Sequence, residues 1–137
     1  MSASAALAAA TRKAIEESGR RVVLLASNSL SHRHFTTESE VPEDMSREHI
    51  YNHSQYVWDM RLVELMREGD MRQVIDPMPE FTQQTDAETE GGGLTWMMAA
   101  MGMPDYPAEI YGYQSVIGTG NVIACWDPDE KTREVVL

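Results

Sequence analysis

Two of the four histidines of this chain, His32 and His34, stand a few residues beyond an unbroken apolar run, in the stretch VVLLASNSLSHRHF at residues 22–35. Histidine is the side chain best suited to proton transfer near neutral pH, and it is a common metal ligand. Ser29 and Ser31 come just before it. A hydroxyl beside a histidine in sequence is not yet a nucleophile–base pair, and no nucleophile elbow is present. The other two histidines, His49 and His53, are four apart in EHIYNH at residues 48–53. That spacing puts both on one face of a helix. In the zincin motif the glutamate follows the first histidine, whereas Glu48 precedes it, so a polar helix face is the better reading. Glu88 and Glu90 lie just before Gly91, Gly92 and Gly93. Each carboxylate is either surface charge or an oxygen ligand for a divalent metal, and carboxylate with imidazole suits ferrous iron. The glycine run lacks the lysine and hydroxyl of a phosphate loop, and Gly118-Thr119-Gly120 falls short of a dinucleotide fingerprint. Tight turns or close backbone approach are the expected roles of these glycines.

These groups need elements to position them. Residues 22–26, VVLLA, show no polar alternation and read as a strand buried on both faces, as in a parallel or mixed sheet. Ligands in such sheets sit beyond the carboxyl ends of the strands, where His32 and His34 fall. An Ala-rich helix is expected over residues 4–18, with Leu7 and Ile15 on its buried stripe and Gly19 at its end. Residues 36–44 read as an acidic loop, and Ser46 as the cap of a helix to Asn52. A stronger helix spans residues 54–68, its stripe formed by Tyr56, Val57, Met60, Val63 and Leu65 or Met66, with Gly69 as the stop. A short helix over 70–75 and another from Pro79 to about Glu90 follow, then a buried helix over 94–101. Residues 106–116 and 121–126 read as extended segments joined by IGTG. The methionines at helical spacing, Met60, Met66, Met97, Met98 and Met101, are expected in the core rather than around a soft metal.

Composition narrows the function. The 137 residues fit one domain, and the net charge of −11 argues against non-specific nucleic-acid binding. No apolar run approaches the ~20 residues of a membrane span. The N-terminal stretch lacks the pattern of a signal peptide. Cys125 is the single cysteine, so no intrachain disulfide can form, and a cytoplasmic protein is expected.

Three segments together, SNSLSHRHF, DAETEGGGLTWMMAAMG and GYQSVIGTGN, resemble the class III extradiol ring-cleavage dioxygenases. The resemblance runs over residues 1–126 and leaves 127–137 as a charged tail. It implies an α/β fold, a mixed sheet flanked by helices, as the C-terminal half of a larger α/β domain. It implies a non-haem Fe(II) enzyme acting with dioxygen on a catechol- or 2-aminophenol-type aromatic in catabolism. In this family two histidines and one glutamate hold the iron, and a further histidine in a Ser-His motif serves as acid–base catalyst. That motif matches Ser31-His32. The glutamate precedes a Trp-containing helix, which points to Glu88, with Glu90 as the alternative.

The family's two histidine ligands lie in the N-terminal half of a chain about twice this long, and none of His32, His34, His49 and His53 occupies their place. The resemblance therefore implies a C-terminal half: a fragment, a truncated frame or one part of a split enzyme. Such a chain is not expected to retain Fe(II) by itself, and a missing N-terminal half or a partner subunit is implied. Loss of sheet neighbours would expose the edges of the strand at 22–26 and favour association. The alternative is a non-catalytic structural partner subunit without its own iron site.

Overall fold

The computed structural model describes residues 3–33 and 50–128. Helix α1 (Ala3–Ser18) is followed by an extended segment, then α2 (His53–Glu68), α3 (Met71–Ile75) and α4 (Met78–Thr85). A 3-10 turn (Glu88–Gly91) leads into α5 (Gly92–Met101), and a hairpin of β1 (Glu109–Val116) and β2 (Thr119–Cys125) closes the order of the described elements. Helices and sheet combine as the α/β reading expects. The sheet formed among the described residues is two-stranded and antiparallel, with Val116 opposite Thr119 and Glu109 opposite Cys125.

Local chemistry explains the element ends. The Asn52 side chain accepts from the Gln55 N–H and caps α2. Asp70 does the same for α3 through the Arg72 N–H, and Pro79 sits in the first turn of α4. The core joins one face of α2 to α3, α4 and α5: Leu62, Val63, Met66, Met71, Val74, Phe81, Leu94 and Met98 are all buried. Burying a side chain of this size contributes about 1.5–3 kcal/mol. Met66, Met97 and Met98 are core residues, and Met60 and Met101 pack partly buried against them. Helix α1 lies on α5, where the Trp96 indole donates to the Thr11 hydroxyl at 3.2 Å.

Several expected details are corrected. Residues 22–26 do not join the sheet, and they are not buried on both faces. Leu24 and Ala26 turn inward against the core, while Val23 is 82% and Leu25 80% exposed. A doubly buried strand needs neighbours on both edges, and no strand lies alongside this one among the described residues. On α1 the buried residue is Ala8, and Leu7 faces solvent. On α2 Tyr56 and Val57 are exposed, because the buried stripe runs through Gln55, Asp59, Leu62 and Met66 instead. Helix α4 stops at Thr85, short of Glu90, because Asp86 adopts a left-handed conformation (φ 51°). His53 opens α2, directly after the extended cap residue Asn52. His34, His49, the 36–44 loop, Ser46 and most of the 127–137 tail lie outside the described residues.

Candidate active site

The segment that carries His32 is held on three sides. The Leu30 N–H donates to the Gly120 carbonyl at 2.7 Å, and the Gly120 N–H donates back to the Ser31 carbonyl at 3.0 Å. His32 forms an antiparallel bridge with Thr119, so residues 30–32 lie beside the start of β2. The His32 N–H donates to the Thr85 carbonyl at 3.2 Å, tying the segment to the end of α4. From beneath, the Asp59 carboxylate accepts the Ser31 N–H at 3.0 Å and the Ser31 hydroxyl at 2.7 Å. The Tyr113 hydroxyl donates to the same carboxylate at 2.6 Å. Ser31 and Asp59 are fully buried, while His32 is half-buried above them.

Glu88 reaches this segment from the other direction. After α4 the chain passes through left-handed conformations at Asp86, Thr89 and Glu90, which are uncommon for residues with a Cβ and cluster at functional sites. The tight path aims Glu88 at the loop. Its Oε2 accepts the Ser29 N–H at 2.5 Å and the Ser29 hydroxyl at 3.0 Å. Gly93 makes room for this approach, since a Cβ there would lie 2.6 Å from the Asn28 side-chain oxygen. Within the glycine run, Gly93 thus provides close approach and Gly91 a left-handed turn (φ 68°). Glu90, two residues on, is exposed. His53 is exposed at the start of α2, stacked on Tyr56 at 6.3 Å.

One short loop therefore carries a half-buried imidazole and the anchor of a carboxylate, with two residues between Glu88's partner Ser29 and His32 in sequence. This arrangement can move a proton, and Glu88 can offer oxygen to a cation. Among the described residues no group of three His, Cys, Asp or Glu side chains could hold a metal ion. Glu88 can thus offer one oxygen ligand, and no group of three among the described residues completes a metal site around it.

The family model described as the catalytic LigB subunit of aromatic ring-opening dioxygenase matches residues 2–124. The chain belongs to this LigB family. It is 53% identical over 121 residues to the 2-aminophenol 1,6-dioxygenase beta subunit of a Pseudomonas species, a match covering 88% of this chain and 40% of that relative. The LigB-family chain thus spans well under half the length of the curated relative it matches.

Sequence reasoning missed Gln55, Asp59 and Tyr113 in this LigB-family chain. The Gln55 side chain donates to the Thr85 carbonyl at 3.1 Å, next to the His32 N–H that shares that acceptor. The signal was present: Gln55 and Asp59 continue the Leu62 and Met66 stripe toward the helix start at helical spacing. Polar residues on an otherwise buried stripe mark groups that must bond to something inside.

Burial raises the Asp59 pKa above the usual carboxylate value, against the lowering effect of its bonds from Tyr113 and Ser31. Burial first, then the bond to Asp59, pushes the Tyr113 phenol far upward. The folded state thus holds the Asp59 proton more tightly than the unfolded chain. Its linkage contribution is fully present below the unfolded value of 3.8 and is lost as pH rises through the folded pKa. The stability advantage of the native protein over Asp59→Asn is therefore expected to grow as pH falls from 7 toward that window. Denaturant titrations of both proteins at stepped pH check this, and an advantage that shrinks on acidification contradicts it.

Proposed function

We propose that residues 1–126 form the C-terminal part of an extradiol ring-cleaving dioxygenase domain, inserting both atoms of dioxygen into a catechol- or 2-aminophenol-type aromatic. The observation that carries this reading is the meeting of Glu88 with the Ser29–His32 loop through Ser29, in a LigB-family chain. His32 is the acid–base group: its imidazole accepts a proton from the ring's hydroxyl and returns one as the ring opens. Glu88, rather than exposed Glu90, is the carboxylate ligand for Fe(II), which would supply the binding site for the aromatic and dioxygen. The remaining ligands come from an N-terminal half or a partner subunit. The anchoring of Glu88 on Ser29, in the loop that carries His32, favours this over a purely structural subunit, for which neither group is needed.

The docking edge for the missing part is the extended stretch at residues 22–26, with Val23 and Leu25 facing outward. An exposed, apolar extended edge is a template for pairing with another strand. A cytoplasmic setting belongs to the same proposal; no helix among the described residues is long and apolar enough to cross a membrane.

Anaerobic Fe(II) titration of the 137-residue chain tests the ligand assignment. Weak binding and no cleavage of 2-aminophenol are expected, because one ligand of three is in place. Tight stoichiometric iron with turnover would show that His34, His49 or His53 has taken the ligand positions, and would overturn the division of the site between two parts.

A further inference from the structure

We infer that Asp59 is a positioning residue for His32, acting through Ser31, with Tyr113 and Gly120 completing its socket. The inference rests on the acid–base role proposed for His32. Asp59 is 0% exposed, and none of the ion pairs among the described residues involves it. A buried carboxylate without a cation is costly unless hydrogen bonds replace water. Three donors do so. Two of them, the N–H and hydroxyl of Ser31, belong to the residue directly before His32. The third, the Tyr113 hydroxyl on β1, shares Oδ2 with the Ser31 hydroxyl.

The socket leaves no slack. A Cβ on Gly120 would collide with the Asp59 carboxylate and would lie 2.6 Å from the Tyr113 hydroxyl. Gly120 is also the residue whose N–H and carbonyl bond to Ser31 and Leu30. The same carboxylate thus sets the height of β2 against α2 and the orientation of the Ser31 peptide. With the His32 N–H bonded to Thr85, each backbone residue from Leu30 to His32 is tied to a neighbouring element. The imidazole is thereby aimed by bonds made one residue earlier. A displacement of about 1 Å in a reacting group can cost about 100-fold in rate, which gives such a device a purpose.

Nuclear magnetic resonance of the whole chain tests this without any turnover. In Asp59→Asn the ring resonances of His32 are expected to shift. The amides of Leu30, His32 and Gly120 should exchange about tenfold faster or more, the effect of losing a net bond of about 1–1.5 kcal/mol, while α5 amides keep their protection. Should Asp59→Asn fail to fold, Ser31→Ala and Tyr113→Phe each remove one hydroxyl bond, and the same local pattern is expected at smaller amplitude. Unchanged His32 resonances, or a uniform loss of protection across the molecule, would overturn the inference. In the assembled enzyme, Asp59→Asn should lower kcat with KM little changed, and should add little in a His32→Ala background, since residues that act as a unit are not additive. Full additivity there would also overturn it. The acid–base reading fails separately, by intact turnover in His32→Ala, whatever the resonances show.

Discussion

His32→Ala in the assembled ring-cleaving enzyme should lower turnover by about 100- to 10,000-fold, the usual contribution of a positioned acid–base group, while leaving iron content nearly intact. The expectation follows from where the backbone puts the side chain. The His32 N–H is bonded to Thr85 and its neighbour Ser31 is locked to Asp59 and Gly120. These bonds are made by backbone groups and by Ser31, so they hold the loop whether or not the ring is present. The readout is kcat for 2-aminophenol beside iron per subunit after desalting. Loss of iron in step with loss of turnover would make His32 a ligand and contradict the assignment of proton transfer to it.

Glu88→Ala should fail in the opposite way, with iron lost before any kinetics are run. Loss of an outer-shell partner costs a metal site roughly 10- to 100-fold in affinity, and removal of a ligand carboxylate should cost more, because a charge and a coordination bond go together. The side chain also anchors Ser29, so Glu88→Ala alone mixes two effects. Glu88→Gln keeps an oxygen for the Ser29 N–H and removes the charge. Iron loss in both variants, with iron retained in Glu90→Ala, is the expected pattern. Retention in Glu88→Gln and loss in Glu90→Ala would move the ligand two residues along.

The parts of the fold that were legible in the sequence are those whose stability is local. The apolar helix after the glycine run and the hairpin around Ile117-Gly118 formed where patterning placed them, and the stop at Gly69 held. Residues 22–26 misled because an unbroken apolar run states what a segment would bury, not whether partners are present. Here alternate residues turn outward, Val23 and Leu25 among them. The α2 stripe was misplaced by one step because apolar Tyr56 and Val57 outscore Gln55 and Asp59 on hydrophobicity, yet the polar pair makes the buried bonds. In the site, Ser31-His32 and Glu88 could be named from motif likeness. Their connection through Ser29 spans 59 residues and is a tertiary fact. The left-handed run at Thr89 and Glu90, which separates the anchored carboxylate from the exposed one, has no clear signature in residue type.

One measurement bears most directly on the proposal that this chain supplies part of a dioxygenase site. The chain is mixed anaerobically with the part of the 2-aminophenol 1,6-dioxygenase beta subunit that lies outside the match, Fe(II) is added, and oxygen uptake with 2-aminophenol is followed after air is admitted. Uptake matched mole for mole by ring-opened product, present in the mixture and missing from either part alone, is the expected result. A stable complex that binds iron yet consumes no oxygen with any aminophenol or catechol would contradict it.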